Sequence, residues 1–122
     1  MQTLKIDGRL PTMNEIIKAN RTNIYVGAIQ KKRYTNLVMM ECMAQEIAKV
    51  DGKIDLHITF CCKDKRIDKD NYIASTKFIL DGLIKANVIK NDGWDEIGKI
   101  NYDFTINKKE PCIFVEIMEH KK

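Results

Sequence analysis

The 122-residue chain is predicted to form one α/β (α+β) domain, residues 1–122, in which helices pack on a mixed sheet. Three observations predict this. Ile54–Cys61 and Ile100–Ile106 alternate apolar and polar residues with the period of a half-buried strand. Between them, Asp70–Lys85 carries apolar residues at helical spacing. A composition of 44% hydrophobic and 31% charged residues excludes a disordered tail and suits a single core.

Thr3–Asp7 alternates around Leu4 and Ile6 and reads as a first strand, broken by Gly8–Pro11. Asn14–Lys32 has no clean period and several basic side chains, so a partly mobile loop is expected there. Thr35 or Asn36 can cap a first helix with an inward stripe of Leu37, Met40, Ala44 and Ile47, ended by Asp51-Gly52. In the second strand Ile54, Leu56, Ile58 and Phe60 share a face. The polar stretch Lys63–Lys69 leads into the second helix, with Ile73, Thr76, Ile79, Leu80 and Leu83 inward. Asn91-Asp92-Gly93 is a turn. Ile100, Tyr102, Phe104 and Ile106 mark a third strand, and Ile113, Val115 and Ile117 a fourth. Asn107–Pro111 is expected to join these two as a hairpin. The order is β-α-β-α-β-β.

No apolar run approaches the ~20 residues that span a bilayer, and the N-terminus lacks a signal-peptide core. A cytoplasmic protein with no membrane partner is expected. Cys42, Cys61, Cys62 and Cys112 form no CxxC pair, so reduced, packed thiols are expected. His57 and His120 read as surface or edge groups.

The net charge of +4 permits a polyanionic partner without requiring one. Its distribution says more. Lys18, Arg21, Lys31, Lys32 and Arg33 crowd the first third, where they could hold phosphates or form a solvated charge run. Asp68, Asp70, Asp81, Asp92, Asp95 and Glu96 gather later.

Asp68 and Asp70 stand at the start of the second helix, so their carboxylates can converge. If folding brings Asp92 to the same pocket, three carboxylates with no histidine or thiolate make an oxygen-only site suited to magnesium or manganese. Lys77 follows Asp70 by seven residues, on nearly the same helix face and about 10 Å along the axis. Its ammonium could offset charge on a phosphate. Each piece also has a plain structural reading. Acids at a helix start cap it, Asn-Asp-Gly is turn chemistry, and Lys77–Asp81 is an i,i+4 surface pair. Spacing alone leaves the choice open.

The order Asp68-Lys69-Asp70-Asn71, then Lys77-Phe78-Ile79-Leu80-Asp81-Gly82-Leu83, then Val88-Ile89-Lys90-Asn91-Asp92-Gly93-Trp94 resembles the RusA family of Holliday-junction resolvases, particularly its phage and prophage type. Leu10-Pro11-Thr12-Met13-Asn14 resembles the family segment that precedes a basic region. The resemblance implies a RusA-like fold and a homodimer that makes paired, symmetric nicks in four-way DNA junctions with Mg2+, for which Mn2+ may substitute. It also implies that Asp68, Asp70 and Asp92 form the metal site and that Lys77 is essential. Asn71, Asp81 and Asp95 would support them, and Asn14 would join the basic set on DNA. Two positions depart from the pattern. Ala74 stands where the family usually has its lysine, and Asn91 replaces the first of two adjacent acids.

Trp94 reads as a packing residue more readily than a base-stacking one; with Phe114 it is also a candidate for a subunit interface. Other readings of the same acids are a flap or non-specific metal nuclease, a catalytically silent DNA-binding protein, and an interaction protein whose acids only cap helices.

Overall fold

The structure is a computed structural model that describes residues 1–121. Its elements are β1 (Gln2–Asp7), α1 (Met13–Thr22), α2 (Ile24–Ala44), β2 (Ile54–Cys62), α3 (Lys69–Ile73), α4 (Thr76–Lys85), β3 (Ile97–Ile106) and β4 (Cys112–Glu119). The four strands form one mixed sheet in the order β1-β4-β2-β3. Strand β2 pairs antiparallel with β4 and parallel with β3. Ile54, Leu56, Ile58 and Phe60 pack with Leu4, Ile6, Ile113, Val115 and Ile117 against Val38, Phe78, Ile79 and Leu83 of the helices. The opposite face carries His57 and Asp55, joined to Asp103 at 2.8 Å and to His120 at 2.7 Å. All four cysteines are free and buried, as their lack of pattern implied.

Three features differ from the sequence reading. Asn14–Lys32 is helical rather than a loop. Thr12 and Glu15 form a capping box, in which the Thr12 amide donates to the Glu15 carboxylate at 3.0 Å. Asn23, with extended backbone, then separates α1 from α2, and its side chain accepts from the Val26 amide at 2.9 Å. Helix α2 has apolar residues all round, so its periodicity carries no signal.

Its inward stripe is Tyr34, Val38 and Cys42 rather than Leu37, Met40 and Ala44; Met40 is 63% exposed. The helix also ends earlier, at Ala44. Glu46 takes a left-handed φ of 54° and the Ile47 amide donates back to the Cys42 carbonyl at 2.9 Å, which is a Schellman closure. Asp51-Gly52 instead forms the turn before β2.

The third difference is the expected hairpin. Strands β3 and β4 do not pair, because β2 lies between them. Residues 107–111 cross the end of β2, where the Asn107 amide donates to the Cys62 carbonyl at 2.8 Å. The Pro111 carbonyl then accepts from the Gly8 amide at 2.8 Å on the far side. Strand β4 thereby becomes an interior strand with Ile113, Val115 and Ile117 buried, while β3 keeps an exposed edge.

Helices α2 and α4 approach closely at Gly82. A Cβ placed there would lie 2.4 Å from the Cβ of Val38, a branched side chain with no room to rotate away. Gly82→Ala should therefore destabilise the fold by about 1–3 kcal/mol, despite alanine's better helix propensity. Urea denaturation should show the drop in midpoint, and Val38→Ala in the same chain should recover part of it. An unchanged midpoint would show that the two helices separate freely.

Candidate active site

Strand β2 ends at Cys62 and releases the polar stretch that leads to α3. Asp68 is the N-cap residue of α3 and Asp70 lies in its first turn. The Asp68 side chain does not cap the helix. Both acids are exposed, and among the described residues neither carboxylate has a hydrogen bond or salt bridge. The capping explanation therefore fails for Asp68. The two acids line a cleft of about 610 Å3 with Asp64, Lys69, Phe104 and Ile106, beyond the C-terminal ends of the parallel strands β2 and β3. Crevices at that end of parallel strands are a common ligand position. Lys69 is held with its ammonium 5.5 Å from the Phe104 ring centre.

Asn71 joins this segment to the chain's first third. Its side-chain oxygen accepts from the Asn14 amide at 3.3 Å, setting the start of α1 beside α3. The segment from Leu10 to Asn14 and the acidic segment are thus neighbours in space.

The expected single helix from Asp70 to Lys85 is interrupted at Ala74 and Ser75. The Ser75 hydroxyl donates to the Tyr72 carbonyl at 2.7 Å, and the Thr76 hydroxyl meets the Tyr102 hydroxyl at 2.8 Å. Ala74, the position that departs from the family pattern, falls in this break. Lys77 lies in the first turn of α4. Its ammonium is 3.2 Å from Asp81 and 3.2 Å from Asp92. The fold therefore carries Asp92 back from the distal turn to the start of α4. Asn91 holds that turn through its side-chain oxygen, which accepts from the Asp92 amide at 2.9 Å.

The two clusters do not merge into one cage. Among the described residues no three Asp, Glu, His or Cys side chains are gathered so as to hold an ion. Asp92, expected to share a pocket with Asp68 and Asp70, is bonded to Lys77 and does not line the cleft that holds those two acids. Asp95, expected to support the acids, lies apart from the cleft of Asp68 and Asp70. It is exposed and borders a small cleft with Lys49 and Lys90.

Asp68 and Asp70 nonetheless fit a hard divalent cation. They are free, adjacent and oxygen-only, and magnesium commonly takes one or two carboxylates with substrate phosphate and water completing its shell. Thiolate ligands are poorly available, since burial pushes Cys42 and Cys112 up to about 11.

Lys18 and Arg21 are exposed on α1, and Lys31, Lys32 and Arg33 are exposed on α2. Lys31 and Lys32 border a shallow groove with Thr35, Asp81 and Lys85, so part of the basic set lies beside the Lys77 cluster. Trp94 stands out in solvent. It is 93% exposed, contrary to the packing role expected for it. Sequence reading also missed Lys85, whose ammonium reaches Asn36 across the same groove; its place at i+4 from Asp81 was a usable signal.

The hydrogen bonds to Asp81 and then Asp92 raise the Lys77 pKa above its ordinary value. The ammonium is therefore charged throughout the neutral range. Its pairing contribution is present below the ordinary lysine pKa and is lost only as pH rises through the elevated one. Asp81→Asn should lower the Lys77 titration midpoint, measured by NMR of the labelled lysine side chain, without unfolding the chain. An unmoved midpoint would remove Asp81 as the leading cause.

A comparison with curated proteins found no match. The family model described as Endodeoxyribonuclease RusA matches residues 8–118, which spans both clusters, the basic helices, β2, β3 and β4 up to Met118, and leaves β1 outside. The chain belongs to the RusA family of endodeoxyribonucleases.

Proposed function

We propose that this chain is a magnesium-dependent endonuclease that resolves four-way DNA junctions by paired nicks, acting as a homodimer in recombination and repair. The observation that carries the reading is the pair of free carboxylates, Asp68 and Asp70, in a chain that also holds a charged Lys77 between two acids. Asp68 and Asp70 would hold the ion. When bound, magnesium supplies Lewis-acid stabilisation of the phosphate and lowers the pKa of a water. Manganese, with the same preference for oxygen donors, would substitute.

Asp81 and Asp92 raise the Lys77 pKa and hold its exposed ammonium between them. Lys77 then presents its ammonium to a phosphate that enters between the two clusters, where it opposes the charge that grows during cleavage. Asp92 acts in this scheme as the anchor of Lys77. The cations on α1 and α2 hold flanking phosphates and set the position of the DNA without reading its sequence.

A four-way junction offers two equivalent strands related by a two-fold axis, and one site per chain reaches both only in a symmetric dimer. Purified Asp70→Asn should leave a cruciform plasmid uncut, whereas the wild-type protein should linearise it. Co-refolded mixtures of the two should accumulate nicked circles, because each subunit cuts one strand. Cutting by Asp70→Asn at the wild-type rate would overturn the site, and mixtures that give only linear product would overturn the dimer.

Replacing Lys31, Lys32 and Arg33 by Gln should flatten the dependence of junction affinity on salt. The slope of log K against log salt should fall by about 0.9 for each phosphate that these side chains neutralise. An unchanged slope would return these residues to a solvated surface.

A further inference from the structure

We infer that Trp94 stacks on an exposed base at the branch point and thereby distinguishes branched from continuous duplex DNA. The inference rests on the junction-nuclease reading above and adds to it a residue that selects the substrate.

Nine aromatic side chains are present in the sequence. Phe60, Tyr72, Tyr102 and Phe104 pack on one another, and Tyr34 packs on Phe78. Among the described residues Tyr25 and Trp94 are the only exposed aromatics, at 76% and 93%. An indole left in water forfeits the burial that stabilises the others, so its place calls for a partner outside the chain.

The turn that carries Trp94 is fixed at both ends. The Gly93 carbonyl accepts from the Ile97 amide at 2.9 Å and from the Glu96 amide at 3.2 Å, and the Glu96 carbonyl accepts from the Ile54 amide at 2.9 Å. The indole is therefore presented on a held turn rather than a loose tip. Trp94 is two residues from Asp92, at most about 7 Å of chain. Since Asp92 is bonded to Lys77, the indole stands within reach of a nucleotide bordering that cluster.

Charge selects the class of partner. Trp94 is followed by Asp95 and Glu96, which oppose a phosphate contact. A base carries no net charge and offers a π face, so the same acids do not oppose stacking. A second protein copy fits less well, because Asp95 and Glu96 beside the indole would face their own counterparts if it lay on a two-fold interface. In continuous duplex every base already has partners above and below. At a branch point, terminal base pairs can expose one face, and a preformed indole can cover it at little unstacking cost.

Trp94 is the chain's only tryptophan, which makes its emission a direct probe. The full chain in chelator is titrated with a synthetic four-way junction and with duplex of equal length, with binding followed in parallel by mobility shift. The junction should quench the emission and shield it from acrylamide, and duplex should do neither. Trp94→Ala should bind the junction about 5- to 150-fold more weakly, the loss of one base–aromatic stack, while its duplex affinity stays unchanged. Trp94→Phe should recover most of the junction affinity. An exposed side chain can be truncated without loss of core, so unfolding does not confound these variants.

Wild-type junction affinity in Trp94→Ala would overturn the inference and leave the nuclease reading standing. A blue shift on raising protein concentration without DNA would also overturn it, assigning the indole to a second copy. Failure of the wild-type chain to bind any branched DNA would remove both readings.

Discussion

The alternation along β2 is the constraint on which the remaining structure depends. Ile54, Leu56, Ile58 and Phe60 are all essentially inaccessible to solvent, and β2 is paired on both sides, antiparallel to β4 and parallel to β3. A slip of one residue would turn all four toward the face that holds Asp55, His57 and Thr59. At roughly 1.5–3 kcal/mol for each fully buried side chain, that error would cancel most of a domain's net stability of about 5–15 kcal/mol. The register therefore has one solution. Because β2 ends at Cys62 and its chain leads directly to Asp68 and Asp70, the placement of the acids follows from the same packing.

That dependence explains what the sequence disclosed. Strands with one buried face announce themselves by period two, and all four were legible from residues such as Leu4 and Ile6 or Ile113 and Val115. Their order in the sheet was not. A short connection such as Asn107–Pro111 suggests a hairpin, but two strands flanking a third can be joined as briefly when the link crosses that strand's end. Helix α1 and the first half of α2 were hidden for a different reason. Along α1 only Ala19 is buried, and in α2 Ile24, Tyr25 and Ile29 remain exposed, so no buried stripe imposed a period there. Local capping by Thr12, Glu15 and Asn23 was the readable signal there. In the site, residue types and order were legible, whereas the division of the acids into two clusters was not. It depends on the break at Ser75 and on the return of the chain at Asn91, both of which are tertiary.

The Lys77 cluster contributes little to stability. Its ammonium is largely exposed, and exposed ion pairs are typically worth about 0–1 kcal/mol each. Two carboxylates converging on one exposed cation are better understood as a means of orienting it. Without Lys77, Asp81 and Asp92 would repel each other. With it, they form a compact group carrying one net negative charge, within which a single positive charge has a defined place.

Asp68 and Asp70 have the opposite character, since their charges are left uncompensated in a chain that is basic overall. A phosphodiester approaching them alone would be repelled, so in the proposed function a cation would enter that cleft with or before the phosphate. Magnesium suits this arrangement because a few protein carboxylates suffice when phosphate oxygens complete its shell. A pre-built cage of three aspartates would instead bind an ion without substrate. With one pair of acids left open and the other committed to Lys77, the proposed ion would depend on a substrate phosphate to complete its shell, while the cations on α1 and α2 would hold DNA with or without it.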